Sequence, residues 1–495
     1  MPREALVFPI RITRTGTELV WSRYNKLVHS PRLGHFLYNA LSNSLFELDS
    51  VHYRSLERCR DLGTDWESIS PEFLAVLRQN YVITTKGEEQ RVLLSYKYRR
   101  DTKNFDSSRL GLTICPTLKC NFRCPYCFEH SQGDPRLMSP QTIDLLIDFI
   151  KSYRDVRHLA LTWYGGEPLM GFDVICTVTR RLKSLDLNFE GASLITNGYF
   201  MDQRKCALFN DLQIHSVQVT LDGPEAIHDK RRFLAGGGPT FRHIMANLET
   251  LLDSSYKGSC EIRVNIDREN ADAFQELQDS LLERFRDKNV IIYAARVTPA
   301  DGYDSARLLD LREWTDFNYR VFQSSGVVPI SNFYPSVNLD SVCVATTHNR
   351  FVVGPRGELY KCWEDVGNPA REIGDLHKAN PITNSELRAQ YSSGTDAYSD
   401  PECLECAVLP ICGGGCANKR LRVKHFDEPG LQYCSPFKDN LVQYLEAYID
   451  IFMNREMCVA ILGSGQQETP ARGYRKISPE AKPNCGSTGS CSQCS

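Results

Sequence analysis

Three cysteines stand close together in the stretch CNFRCPYCFE, spaced Cys120-x3-Cys124-x2-Cys127. A loop this short delivers three thiolates to one centre. Tetrahedral zinc and a complete iron–sulfur cubane each take four ligands, so a trio leaves one metal position open. An open position is poor design for structure and good design for binding a substrate at iron. A second group runs Cys343, Cys362, Cys403, Cys406, Cys412, Cys416 and Cys434, and a third lies in the tail at Cys485, Cys491 and Cys494. Taken alone, the second group leaves two zinc ribbons open as a reading. Cys59, Cys115, Cys176, Cys206, Cys260 and Cys458 stand singly among apolar neighbours, where a free cysteine behaves as a small buried hydrophobe.

Composition narrows what these clusters are for. Nineteen cysteines in 495 residues fall well below the roughly 8–10% of a small disulfide scaffold. An odd count in a chain of this length favours metal or cluster ligation in a reducing compartment. Lys and Arg number 58 against 61 Asp and Glu, a net charge of −3, which argues against a nucleic-acid or membrane-surface partner. No apolar run approaches the roughly 18 residues of a membrane span, and the start lacks a signal-peptide core. The expected location is cytoplasmic.

The elements that must position the cysteines follow from periodicity. In residues 1–108, FLYNALSNSLFELD (36–49) reads as a strand hairpin, Ser50 as a cap for a helix over 51–62, and Ser70-Pro71 as the start of a helix over 72–83. This is the pattern of a small winged-helix-like module. The basic stretch 94–109 reads as a linker. Across 109–300, six apolar runs (110–115, 158–164, 192–197, 215–221, 261–266 and 290–297) alternate with helical segments. Such alternation argues for an α/β fold with a parallel sheet, and six units make a partial (β/α)6 barrel. Chemistry in such sheets sits at the carboxyl ends of the strands, and the first cluster falls directly after the first strand. Residues 301–342 form a bridging segment. Residues 343–440 are Cys- and turn-rich with little periodicity, and are expected to need something other than an apolar core to hold them. A C-terminal helix is expected within 441–462 and a disordered tail over 463–495.

The loop at Cys120, Cys124 and Cys127 resembles the signature of the radical S-adenosylmethionine (radical SAM) family. That resemblance implies a 4Fe–4S cluster with one iron free to chelate SAM. Trp163-Tyr164-Gly165-Gly166-Glu167-Pro168, ending the second strand, is similar to the family's Gly-Gly-Glu motif. It implies that Gly165 and Gly166 admit the methionine moiety and that Glu167 accepts from its amino group. Tyr126 stands in the family's adenine-contacting position. Thr196 and Asn197 end the third strand. VTLDGPEAIHDKRRF, after the fourth, resembles a motif of peptide-modifying members. By that match Thr220 and Arg232 bind the SAM carboxylate or ribose, while Asp222 and His228 shape the same edge.

The seven later cysteines are similar in spacing to the SPASM domain, which implies two auxiliary 4Fe–4S clusters and three in all. By that pattern Cys403, Cys406, Cys412 and Cys434 hold an outer cluster, and Cys343, Cys362 and Cys416 an inner one that is one thiolate short. A substrate thiolate, a tail cysteine, another side chain or water would complete it. Sulfatase-maturating members carry an Asp directly after the cysteine equivalent to Cys362; here that residue is Trp363, followed by Glu364 and Asp365 as candidate bases. The N-terminal module resembles the peptide-recognition domain of ribosomal-peptide maturases, which adds a leader peptide as a strand. Together these features imply a peptide maturase that installs a Cys thioether or other crosslink, served by a flavodoxin- or ferredoxin-like electron donor. A sulfatase-maturating-type oxidase, a peptide epimerase and a non-catalytic Fe–S or zinc scaffold are the other readings.

Overall fold

In the computed structural model the described residues are 18–63, 66, 69–129, 134–298, 303–325, 333–335, 337, 343–428, 430–453 and 474–476. The chain enters with β1 (Val20–Trp21), then β2 (Asn25–Ser30), β3 (Gly34–Asn39) and β4 (Ser44–Leu48), an antiparallel meander. The expected hairpin is β3–β4, turned at Asn43 with a φ of +54°, a conformation asparagine tolerates. Helix α1 (Ser50–Leu62) is capped by Asp49 rather than Ser50, through bonds from the Val51 and His52 amides. Helix α2 (Pro71–Gln79) starts on Ser70 as expected but ends earlier, because β5 (Ile83–Thr84) leaves to pair with β1. Faces of the meander alternate: Leu37 and Phe46 pack on Leu56, Phe73 and Leu77 of α1 and α2.

The stretch expected as a linker is helical. Helix α3 (Lys86–Asn104) opens with a Thr85–Glu88 capping box, which satisfies two orphan amides reciprocally. Its apolar periodicity is weak because polar anchors fix it: Lys97 bonds Asp396 at 2.9 Å and Arg100 pairs with the same carboxylate.

The six expected strands are all present, as β6 (Arg109–Ile114), β7 (His158–Trp163), β8 (Asn188–Thr196), β9 (Ile214–Thr220), β10 (Ser259–Ile266) and β11 (Val290–Arg296). They pair in parallel, each with its neighbour in sequence. Between them run α4 (Pro140–Ser152), α5 (Phe172–Leu182), α6 (Gln203–Leu208), α7 (Glu225–Arg231), α8 (Phe241–Leu252) and α9 (Phe274–Arg284). Leu112, Leu161, Leu194, Val217 and Ile262 of the strands bury against Leu146, Val178 and Leu248 of the helices. Helix α10 (Leu311–Ser325) follows, within the segment expected as a bridge.

The sheet then continues into the Cys-rich segment. β12 (Arg350–Val353) pairs in parallel with β6, and β13 (Glu358–Tyr360) and β14 (Gly374–Asp375) add antiparallel, giving nine strands in the order β11-β10-β9-β8-β7-β6-β12-β13-β14. This corrects the expectation of a segment without an apolar core. Phe351, Val353, Leu359 and Ile373 join the barrel core, while Tyr398, Leu409 and Ile411 join a second core with Tyr38 and Leu445. Strands of two to four residues are too short to display a period.

Short helices α11 (Ser385–Ala389), α12 (Pro401–Leu404), α13 (Leu409–Cys412) and α14 (Ala417–His425) follow, with Cys403 on α12 and Cys412 on α13, and α15 (Phe437–Met453) is the expected C-terminal helix. The tail departs from expectation: Tyr474–Lys476 form β15, parallel to β4. Cys458, Cys485, Cys491 and Cys494 lie outside the described residues. No described helix is long and apolar enough to cross a membrane.

Candidate active site

A cavity of about 380 Å³ opens where the parallel strands end, and Cys120, Cys124 and Cys127 form part of its wall. Their loop leaves β6 and is pinned on both sides. Within it, the Phe122 amide donates to Cys120 Sγ (3.4 Å) and the Cys127 amide to the Cys124 carbonyl (3.2 Å). Across from it, Arg123 N–H donates to Phe233 O and Ala235 N–H to Asn121 O. Asn197 Nδ2 reaches Asn121 Oδ1 (2.8 Å) and Cys120 Sγ (3.9 Å). Burial pushes the Cys120 thiol up to about 12, so the thiolate form waits on a metal, which deprotonates a coordinating thiol outright.

Gly165 and Gly166 line the cavity, and the Gly-Gly-Glu stretch also packs the site together. Gly165 sits at φ +115°, and a Cβ there would stand 2.5 Å from Thr117 O; at Gly166 a Cβ would stand 2.2 Å from Leu118 O. The glycines therefore admit the backbone of the cysteine loop itself. Glu167 is fully buried and is absent from the cavity wall. Its Oε1 accepts from Thr196 Oγ1 (2.7 Å) and Leu169 N–H (3.0 Å), and Oε2 from Asn197 N–H (2.7 Å). It clamps the ends of β7 and β8 together, and so sets Thr196 and Asn197, which do line the cavity.

The opposite wall carries Tyr126, Thr220 and Arg232. The Tyr126 hydroxyl donates to Asp222 and accepts from Arg232 Nη1 at 2.8 Å. Asp222 is fully buried, and its amide donates to His228 Nδ1 (3.2 Å). That bond makes Nδ1 the acceptor and leaves Nε2–H to donate to Thr240 Oγ1 (3.0 Å), while Thr240 Oγ1 in turn donates to the Arg232 carbonyl. Burial and the adjacent Arg232 and Arg231 hold His228 well below the usual imidazole range. The neutral ring is a spacer that fixes the Arg232 turn. Asp222 and His228 thus support this edge from behind.

Sequence reasoning missed several wall residues. Gln218, Arg263, Asn265 and Arg296 face the cavity from β9, β10 and β11. The available signal was a polar residue at every second position near a strand's end, the inward set of a barrel. Glu129, two residues past Cys127, also lines the cavity. Neither of its carboxylate oxygens has a hydrogen-bond partner among the described residues, and burial raises it to about 8.

From the Cys-rich side, Trp363 and Glu364 complete the wall. Trp363 lies 5.7 Å from the Tyr164 ring. Asp365, named with Glu364 as a candidate base, turns away: it accepts from Asn418 Nδ2 (2.9 Å) and the Tyr391 hydroxyl in a buried network. Burial sets it at about 6 against those two bonds. Cys403, Cys406, Cys412 and Cys434 line one cavity, with Arg420 Nη2 2.7 Å from Cys403 Sγ and Lys438 Nζ 3.8 Å from Cys434 Sγ. Cys362 and Cys416 are each within electrostatic reach of Cys343 and Glu364. Among the described residues no group of His, Cys, Asp or Glu converges closely enough to hold a single metal ion.

Residues 114–281 match the family model described as the Radical SAM superfamily. This segment is a radical SAM domain. Its relatives extend beyond it. The serine-type anaerobic sulfatase-maturating enzyme of Bacteroides thetaiotaomicron is 24% identical over 384 residues, 68% of this chain and 89% of the relative. The radical SAM cyclopropyl synthase TigE of Paramaledivibacter caminithermalis is 19% identical over 438 residues, 81% of this chain and 89% of that one. Among solved structures, native anSMEcpe with bound AdoMet and the Cp18Cys peptide superposes with a TM-score of 0.54 at 19% identity, covering 71% of this chain and 99% of that one. That likeness is one of fold. Radical SAM enzymes use a 4Fe–4S cluster and SAM, and the donor set of this cavity, three thiols beside an arginine and hydroxyl and amide groups, is chemically suited to both.

Proposed function

We propose that the chain is a radical SAM enzyme that takes hydrogen from a ribosomally made precursor peptide and installs a Cys thioether or another crosslink. The observation that carries this is the convergence of Cys120, Cys124 and Cys127 with Asn197, Thr220 and Arg232 on one cavity. In this reading the three thiols hold a 4Fe–4S cluster and leave one iron for SAM. When bound, the pair supplies hydrogen abstraction from an unactivated C–H bond. The protein's part is position and charge. Arg232 and Thr220 take the SAM carboxylate or ribose, Tyr126 the adenine side, and Thr196 and Asn197 the wall nearest Cys120. Gly165, Gly166 and Glu167 fasten the loop and strand ends that carry those groups.

Cys403, Cys406, Cys412 and Cys434 hold an outer auxiliary cluster in this reading, and Cys343, Cys362 and Cys416 an inner one, making three. Support for the outer cluster is that these four thiols line one cavity. The N-terminal module, a meander followed by α1 to α3, is the proposed grip for the peptide, and a flavodoxin- or ferredoxin-like protein the electron donor.

A sulfatase-maturating-type oxidation is the second reading, favoured by the relatives' names and by Glu364 on the cavity wall. Against it, Asp365 is engaged with Tyr391 and Asn418. Anaerobic reconstitution tests both readings. About twelve irons per chain and SAM-derived deoxyadenosine are expected, with deoxyadenosine lost in Cys120→Ala. Zinc in place of iron and no SAM cleavage would defeat the enzyme reading. Mass spectrometry of a co-expressed short Cys-containing peptide separates the reactions: loss of two hydrogens per site without a new hydrazide-reactive aldehyde indicates a crosslink, a new aldehyde an oxidation of the sulfatase-maturating type, and an unchanged mass an epimerisation.

A further inference from the structure

Helix α14 carries four cations on successive turns, and three of them have a carboxylate. Arg420 pairs with Asp400 at 2.8 Å, Arg422 with Glu428 at 2.6 Å, and Lys424 with Asp400. Lys419, in the first turn, is only 7% exposed and forms no ion pair among the described residues. Arg296, the last residue of β11, repeats the pattern. It donates to the Leu309 carbonyl at 3.1 Å, a neutral acceptor, and has no carboxylate partner among the described residues. Burial holds its guanidinium below the usual range, offset only in part by Tyr444 and Asp310. Both side chains line the same two cavities, of about 440 Å³ and 240 Å³, where the end of β11 faces the Cys-rich segment. Arg296 also lines the 380 Å³ cavity of Cys120, so it borders all three. A cation taken out of water without a counter-ion is costly. Two of them on shared walls call for an anion from outside the chain.

We infer that Arg296 and Lys419 form a subsite for a carboxylate of the substrate, supplied by an Asp or Glu side chain or by a peptide's free C-terminus. That the carboxylate belongs to a peptide rests on the reading of the chain as a peptide-modifying enzyme. The bond to Leu309 uses one guanidinium N–H and leaves others for a two-point bond to a carboxylate, while the lysine adds a compact charge. The surroundings suit a peptide better than a small free anion. Trp314 and Phe437 give the larger cavity an apolar side, and the exposed Gln432 borders both cavities. The subsite also has a fixed place relative to the chemistry. The backbone amide and the charge of Lys419 both act on Cys416, so an acid held there lies beside the inner cysteine group. An anchor at that point sets which neighbouring residue of the peptide enters the cavity of Cys120. Selection for an acidic residue at a fixed spacing from the modified one follows.

Photo-crosslinking on the anaerobically reconstituted full chain tests this without using catalysis. The probes are N-acetylated hexapeptides with a cysteine, a benzophenone side chain and one variable residue: Glu with an amidated C-terminus, Gln with an amidated C-terminus, and Gln with a free carboxylate. The Glu probe is expected to cross-link about tenfold more than the amidated Gln probe, as a hydrogen-bonded charge pair implies, with attachment within 309–314 or 430–437. The third probe separates the two sources: a high yield extends the subsite to a C-terminus, and a yield no greater than that of amidated Gln confines it to side chains. The preference should fall to about one in Arg296→Gln and in Lys419→Gln and survive in Lys419→Arg, a rescue that a purely structural lysine would not show. The inference is overturned if neither carboxylate probe exceeds amidated Gln, or if both Gln variants keep the preference. A changed iron content in Lys419→Gln with the preference intact also overturns it, by tying that cation to the cysteines instead. Iron content and SAM cleavage in the same preparations report separately on the enzyme reading, so a chain that cleaves SAM yet ignores Glu loses this inference alone.

Discussion

Glu167 accepts three hydrogen bonds from Thr196, Leu169 and Asn197, so its carboxylate serves the protein before any ligand arrives. Glu167→Gln places an amide N–H against the Asn197 N–H and loses a bond to a charged acceptor. A loss of about 2–3 kcal/mol is expected, read as a lower midpoint in urea unfolding of the apoprotein. Gly166→Ala is different in kind, because its Cβ would press on the carbonyls of Leu118 and Lys119, directly before Cys120. It should fold, with loss of about four irons and of deoxyadenosine production. A normal iron content in Gly166→Ala would contradict this packing. Both residues were legible as a motif, but their local task was not. A motif names residue types in order, whereas the clamp needs β7 and β8 side by side. Gln218, Arg263 and Arg296 were hidden for a related reason: only strand pairing reveals that these positions of three successive strands share one wall.

Helix α3 and the segment holding Asp396 meet through charge. Burial alone would raise the Asp396 carboxyl, but Arg100 and Lys97 hold it down at about 2. Its side chain is 7% exposed, so solvent screens the pair little. A carboxyl depressed from 3.8 to about 2 contributes about 2.5 kcal/mol. That contribution is fully present above the unfolded value near pH 4 and is lost as pH falls towards 2. Asp396→Asn should therefore lower stability by about that amount at pH 7 and flatten the loss of stability between pH 4 and 2, as read by urea unfolding of the apoprotein at each pH. The same pair explains why α3 reads as a linker in the sequence. A helix anchored by Lys97, Arg100 and a capping box carries little apolar stripe, and periodicity is the signal that helix prediction rests on. The barrel strands behave oppositely. Running six to nine residues with regularly placed apolar positions, β6 to β11 were all legible, whereas β12 to β14 were not, having too few residues to alternate.

At the scale of the molecule, the proposed clusters are separable by substitution. Cys403→Ala should remove about four irons and leave uncoupled SAM cleavage in place, whereas Cys120→Ala should remove cleavage itself; equal loss of deoxyadenosine in both would argue against an independent outer cluster. The continuous nine-stranded sheet has a further consequence. β12 hydrogen-bonds directly to β6, the strand that leads into Cys120, and β13 leads directly into Cys362. The Cys-rich segment is therefore no detachable cassette. Cutting the chain near residue 300 would strip β6 of its neighbour and bare an apolar edge, so the isolated barrel is expected to aggregate. Grafting a foreign Cys-rich segment would succeed only with one that brings its own strand in register with Gly111–Ile114. Specificity could be exchanged between such enzymes at loops, but not at this seam.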